Sequence, residues 1–147
     1  MLTVARTSEI RFARQDDIVD PVLIVPAERT KTSKEHRIPL CPEALKVVAE
    51  ARRLQPSELL FPAPRGGAMS DATMSRFMER AGYEARPHGF RATFRTWVEE
   101  QTDAPYEVKE ACLGHVVDGD VVRAYQRSDR LERRRALMER WMKFLLG

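Results

Sequence analysis

At 147 residues the chain has the length of one domain, enough to bury a sizeable core. Hydrophobic residues make up 43% and charged residues 32%, and the longest unbroken apolar run, Pro21 to Ala27, is far too short for a bilayer, so a membrane span is excluded. The 25 Lys and Arg against 22 Asp and Glu leave a net charge of +3, which permits a polyanionic partner and excludes a histone-like basic tail. Cys41 and Cys112 stand far apart without a CxxC or Cys/His cluster, so neither a disulfide framework nor a zinc site is expected. Met1 to Ile10 matches no signal or transit pattern, and the expected location is cytoplasmic.

In chain order, Thr7-Ser8-Glu9-Ile10-Arg11-Phe12-Ala13 predicts a short helix capped at Thr7 or Ser8, with Arg6 at its N-terminal end. Val22 to Val25 reads as a buried strand. Glu28 to Leu40 reads as a hairpin with Lys31-Thr32-Ser33-Lys34 at its tip and His36 on an exposed strand. Pro42, Leu45, Val48 and Ala51 have helical spacing, Leu59-Leu60-Phe61 looks like a short buried extended piece, and Arg65-Gly66-Gly67 is a loop.

Ser70 is a good N-cap for a helix through Met74, Phe77 and Met78 that stops at Gly82, and its Met and Phe stripe reads as core. Beyond Pro87, Phe90, Phe94, Trp97 and Val98 form an apolar stripe, with His88, Arg91 and Arg95 on another face and Arg95 solvated. A helix entered at Asp103-Ala104-Pro105 stops at Gly114, directly before His115. Val121, Val122 and Tyr125 suggest a short helix after a turn at Asp118-Gly119-Asp120. Leu137, Trp141, Phe144 and Leu145 make the last helix amphipathic. Its Arg130, Arg133, Arg134, Arg135, Arg140 and Lys143 read equally as a DNA-binding patch or, with Asp129, Glu132 and Glu139 interleaved, as a salt-bridged solvated face. The expected class is mainly α, with one small antiparallel sheet.

The informative polar residues are cations at helix starts. Arg6 opens one helix, and His88 and Arg91 share the first turn of another, three positions apart on one face. Free N–H groups and the helix dipole make such ends suited to gripping a phosphate.

His88-Gly89-Phe90-Arg91, with Arg6-Thr7-Ser8-Glu9 upstream and Leu113-Gly114-His115 and Tyr125 downstream, resembles the catalytic domain of phage and prophage integrases, the tyrosine recombinases. The resemblance covers nearly the whole chain, and its specificity lies in the ordered set rather than in any one piece. It implies the DNA breaking-rejoining fold and site-specific recombination through a covalent 3′-phosphotyrosine on Tyr125. A free tyrosine has a pKa near 10, so only about one in a thousand is ionised at pH 7, and attack needs a base or a strongly cationic site.

The resemblance gives Arg6 and Arg91 the non-bridging phosphate oxygens and His115 a hydrogen bond to the same phosphate. His88 becomes the proton acceptor, Lys31 the acid that protonates the leaving 5′ oxygen, with Lys34 competing for that role, and Glu9 orients the site. No metal or other cofactor is expected. The implied partners are double-stranded DNA and further copies of the chain assembled on it, with no membrane. Family members carry a separate N-terminal core-binding domain and further helices before the first arginine, whereas five residues precede Arg6 here. Residues 1–147 are therefore expected to be one N-terminally truncated catalytic domain, either a piece cut inside that domain or the product of a shortened, degenerate integrase gene. Its DNA binding is expected to be weak and salt-sensitive. The alternatives are an inactive fragment that keeps only DNA or subunit contacts, and, more distantly, a cofactor-free phosphodiesterase or type IB topoisomerase-like enzyme.

Overall fold

Val22–Val25 is the central strand of a three-stranded antiparallel sheet, β1 (Ile18–Val19), β2 (Val22–Val25) and β3 (His36–Pro39) in that order. The computed structural model describes residues 1–116 and 130–147. Among these it forms six helices: α1 (Thr7–Arg11), α2 (Pro42–Leu54), α3 (Thr73–Arg80), α4 (Gly89–Gln101), α5 (Tyr106–Cys112) and α6 (Leu131–Leu146). The class is the expected one, mostly helix with a small antiparallel sheet. The helix expected around Val121 to Tyr125 lies outside the described residues.

Two elements differ from their expected bounds. The second arm of the hairpin is only His36–Pro39, paired with β2 in the register Leu23 to Ile38 and Val25 to His36. Residues 26–35 form the connection, because Ala27–Arg29 winds into a 3-10 turn from which the Arg29 guanidinium grips the carboxylate of Asp17. Helix α1 begins one residue early, with Arg6 rather than Thr7 or Ser8 at the N-cap. No hydroxyl caps it. The Glu9 carboxylate instead folds back onto the Arg6 backbone N–H at 2.6 Å, which satisfies one orphan donor of the first turn.

The interior falls into two apolar clusters. One packs β2 and β3 against α2 and Leu60, with Leu23, Val25, Ile38, Leu40, Ala44 and Val48 buried. The other joins α4, α5 and α6 around Phe94, Trp97, Val98, Val108, Leu137 and Trp141, and it takes in Val4 from the N-terminal segment. Phe94 and Trp141 meet edge to face at 5.3 Å, a favoured aromatic geometry. The spacing i, i+3, i+7 puts Arg134 on the same stripe of α6 as Leu137 and Trp141, so Arg134 is buried and donates to the Arg37 carbonyl at 2.6 Å. It is a tether between α6 and β3, not part of a DNA-facing patch.

Helix α3 departs further from expectation. It starts at Thr73, with Ala72 at the N-cap and the Ser70 hydroxyl hydrogen-bonded to that of Thr73. None of its residues is buried, and Phe77 is 64% exposed, so the Met74, Phe77 and Met78 stripe is not core. These side chains line an open apolar trough with Val47 and Val48 of α2.

Candidate active site

Four of the sequence-predicted residues, Arg6, Glu9, Arg91 and His115, gather around the Leu113–Gly114 turn. Arg6 leaves the N-terminal segment there, and its guanidinium is divided between two partners. Nη1 donates to Glu9 Oε1 at 3.0 Å and Nη2 donates to the Gly114 carbonyl at 3.1 Å. Glu9 is 1% exposed. Burial alone would raise its pKa, but contacts with His36, the Arg6 backbone N–H and the Arg6 guanidinium outweigh that and hold it down at about 2. Glu9 is thus a fixed anion beneath Arg6.

Arg91, expected beside His88 on the phosphate-gripping face of α4, is buried and points inward. Its Nη1 donates to the Val4 carbonyl at 2.5 Å and its Nη2 to the Leu113 carbonyl at 2.7 Å. Burial pushes the guanidinium pKa down and the neighbouring Arg6 adds to this, while Glu9 and Glu110 work against it. Arginine remains charged under such pressure. Arg6 and Arg91 therefore hold consecutive carbonyls, Gly114 and Leu113, at the C-terminus of α5, where unpaired carbonyls favour cations.

That terminus has a defined geometry. Gly114 adopts φ +61°, its N–H donates to the Ala111 carbonyl at 3.1 Å, and the His115 N–H donates to the Glu110 carbonyl at 3.0 Å. These are the two bonds of a Schellman motif, with glycine in its left-handed position. A Cβ on Gly114 would stand 2.8 Å from the His36 ring and 3.1 Å from Arg6 Nη1. His36, expected on an exposed strand, is buried here because it shares a sheet face with Ile38. Its Nδ1 lies 3.4 Å from Glu9 Oε1. The alternation His36, Ile38 was the signal for this residue.

His115 follows with its side chain 39% exposed. Its Nδ1 lies 2.7 Å from Glu110 Oε2 and its Nε2 3.4 Å from Arg91 Nη2. Glu110 is buried and is in turn faced by Arg95 at 2.5 Å; Arg95 is exposed, as expected, and is also its ion-pair partner. Sequence reasoning missed Glu110, although its place five residues before His115, on the helix ended by Gly114, was readable.

The remaining predicted residues stand apart. His88 is exposed at the N-cap of α4, one turn before Arg91. Lys31 and Lys34 are both exposed on a loop closed by the Thr30 hydroxyl, which donates to the Lys34 carbonyl at 2.7 Å. Lys34, together with His36, Gly114, His115 and Arg130, lines a hollow of about 580 Å³, and Lys31 is not among its lining residues. Tyr125 lies outside the described residues. The site brings together two arginines, one histidine and a buried carboxylate, a set able to bind a phosphate-like dianion and neutralise charge developing on it.

The fold is that of the lambda integrase catalytic core, with a TM-score of 0.60 over 81% of this chain and 77% of that one, at 23% identity. A lambda integrase tetramer bound to a Holliday junction matches with a TM-score of 0.59 over 88% of this chain and 40% of its own, also at 23% identity. The phage integrase family model covers residues 1–132, and the chain belongs to that family, the tyrosine recombinases. Prophage integrase IntA of Escherichia coli (strain K12) is 34% identical over 148 residues, a stretch that takes in 96% of this chain and 36% of IntA. The chain spans little more than a third of the length of the curated relatives it matches.

Proposed function

We propose that this chain is the catalytic domain of a site-specific recombinase that breaks and rejoins double-stranded DNA through a covalent 3′-phosphotyrosine on Tyr125. The observation that carries the reading is the convergence of Arg6, Arg91 and His115 on the Leu113–Gly114 turn. Each guanidinium has five N–H donors, and the contacts described occupy only some of them, so both keep donors for the non-bridging oxygens of a scissile phosphate. Two fixed cations stabilise the pentacoordinate transition state and ease ionisation of a tyrosine hydroxyl. Removing one such donor lowers a rate by about a hundred- to a thousandfold.

In this reading Tyr125 attacks phosphorus and the 5′ oxygen leaves with a proton from Lys31. His88 takes the tyrosine proton, and Glu9 holds Arg6 in place. The lysine assignment is tested by Lys31→Ala against Lys34→Ala, since only the acid's loss is rescued by a 5′-thiol leaving group, which needs no proton. The reaction conserves the phosphodiester bond energy in the adduct and calls on no metal. The site works in the cytoplasm on a pair of attachment sites, with copies of the chain assembled on the DNA, as lambda integrase assembles as a tetramer on a Holliday junction.

The decisive experiment incubates the chain with nicked duplex in EDTA and looks for a protein–DNA adduct stable to denaturation. Wild type should form it and Tyr125→Phe should not, with DNA binding retained. An adduct that survives in Tyr125→Phe removes the assignment. A second reading, a chain that holds DNA without cutting it, is favoured by Lys31, which does not line the hollow beside His115. Wild type that binds duplex and forms no adduct selects that reading.

A further inference from the structure

We propose that Glu110, paired with Arg95, is a positioning residue that holds His115 in the Nδ1–H tautomer and turns its Nε2 toward Arg91. The inference rests on the recombinase reading for its consequence, though not for its geometry.

The backbone creates the pair. Glu110 and His115 occupy the C3 and C″ positions of the Schellman motif that ends α5, and these two side chains ordinarily make an apolar contact across the turn. Here they are a carboxylate and an imidazole with Oε2 and Nδ1 2.7 Å apart. The same N–H to carbonyl bond that closes the turn, His115 to Glu110 at 3.0 Å, fixes their spacing. Gly114 between them is held in the left-handed region, with His36 directly beneath.

Both ring nitrogens then receive the same instruction. A carboxylate only accepts, so Nδ1 must carry the hydrogen and donate it to Glu110. A guanidinium only donates, so Nε2, 3.4 Å from Arg91 Nη2, must present its lone pair. The opposite tautomer would set a lone pair against the carboxylate and an N–H against the arginine. Histidine free in water favours that opposite tautomer, so the pocket reverses an intrinsic preference. Behind it the Arg95 guanidinium forms an ion pair with Glu110 Oε1, without the alignment of a hydrogen bond, and the Glu110 side chain is only 6% exposed. The arrangement has the logic of a carboxylate that orients a histidine without itself exchanging a proton. His115 Nε2 remains accessible, with its side chain 39% exposed. A phosphate oxygen only accepts, so on binding it Nε2 takes a proton from solvent, and Glu110, already holding the Nδ1 hydrogen, pairs the charge of the resulting imidazolium.

The test uses the full chain labelled with ¹⁵N-histidine; its three histidines, His36, His88 and His115, are assigned by single replacements. Long-range ¹H–¹⁵N spectra at about pH 8.5, above the usual histidine titration range, read the tautomer of each ring. Wild type should place the His115 hydrogen on Nδ1, Glu110→Gln should keep it there through the amide oxygen, and Glu110→Ala should give a mixture. A His115 ring that carries its hydrogen on Nε2 in wild type, or that is unchanged in Glu110→Ala, overturns the proposal. On nicked duplex, Glu110→Ala should form adduct about 10–100-fold more slowly, with Glu110→Gln falling between it and wild type. Adduct formation by Glu110→Ala at the wild-type rate also overturns it. If Glu110→Ala does not fold, Arg95→Ala, a change at a half-exposed side chain, takes its place. An unchanged tautomer in Arg95→Ala, together with wild-type adduct rates in both Arg95→Ala and Glu110→Gln, then refutes the proposal. Absence of any wild-type adduct counts against the recombinase reading alone, since the tautomer is read without DNA.

Discussion

Arg91 donates to the carbonyl of Val4 at 2.5 Å, a bond between residues 87 positions apart that ties the N-terminal segment to α4. Val4 is 2% exposed and holds φ at +44°, a conformation that a β-branched residue rarely adopts. Strain of this kind costs about 1–3 kcal/mol and persists only where the surroundings enforce it. The Arg91 guanidinium is part of that enforcement, so it has a structural duty beside any duty toward phosphate. Arg91→Met keeps most of the side-chain volume but leaves the Val4 and Leu113 carbonyls without a charged donor. Each such bond contributes about 1.5–3 kcal/mol, so the variant should lose roughly 3 kcal/mol or more of stability in urea denaturation. An unchanged urea midpoint would show that Arg91 does not brace the fold.

Gly114 is a second point where conformation and close approach coincide. Gly114→Ala sets a Cβ 2.8 Å from the His36 ring and 3.1 Å from Arg6 Nη1, at φ +61°. The left-handed conformation alone costs about 1–2 kcal/mol for a residue with a Cβ, and the contact adds to it. Gly82→Ala is the matched control, because Gly82 has φ +81° with nothing within 4 Å of an added Cβ. Gly114→Ala should therefore destabilise the chain more than Gly82→Ala. Equal losses for the two variants would mean that His36 does not press on the turn.

What the sequence disclosed and what it hid divide along physical lines. Helices α4, α5 and α6 were readable because apolar residues recur at helical spacing, and the end of α5 was readable because only glycine readily adopts the turn at 114. The inward course of Arg91 was hidden. Its principal partners are main-chain carbonyls, which carry no signature in the sequence, so its place beside His88 was readable and its second task of bracing the N-terminal segment was not. Arg134 was misread for the same reason, although its spacing from Leu137 and Trp141 placed it on the buried stripe. His36 showed the period-two pattern with Ile38, but a polar residue beside a loop of lysines suggested exposure. Helix α3 failed in the opposite direction. Its Met and Phe stripe is amphipathic, yet periodicity says which face is apolar and not whether anything in the described residues covers it.

Cys112 gives a simple chemical check on the second cluster. It is 3% exposed, and burial pushes its thiol up to about 12, with the nearby Arg134 offsetting only part of this. Since the thiolate is the reactive form, Cys112 should resist iodoacetamide at about pH 8 in the folded chain and react readily once urea unfolds it. Mass spectrometry of the alkylated peptides locates the label. Rapid labelling of Cys112 under native conditions would show that α5 does not stay packed against α6.

Glu9 makes the acid limb of stability predictable. Its folded pKa is about 2 against an ordinary 4.5, so the folded state favours the carboxylate. For a depressed carboxyl group the stabilisation is complete above the unfolded value and disappears as pH falls through the folded one. The window therefore runs from about pH 4.5 down to about 2. At 1.36 kcal/mol per unit, the depression corresponds to roughly 3 kcal/mol at most. Glu9→Gln removes the titration and also the charge that pairs with Arg6 and sits beside His36, so it should be less stable than wild type at neutral pH. Between about pH 4.5 and 2 its stability should decline less steeply than that of wild type, and the two curves should converge near the acid end. Urea midpoints measured across that range decide the matter. Parallel curves would mean that the carboxylate beneath Arg6 is not the group that makes this fold acid-sensitive.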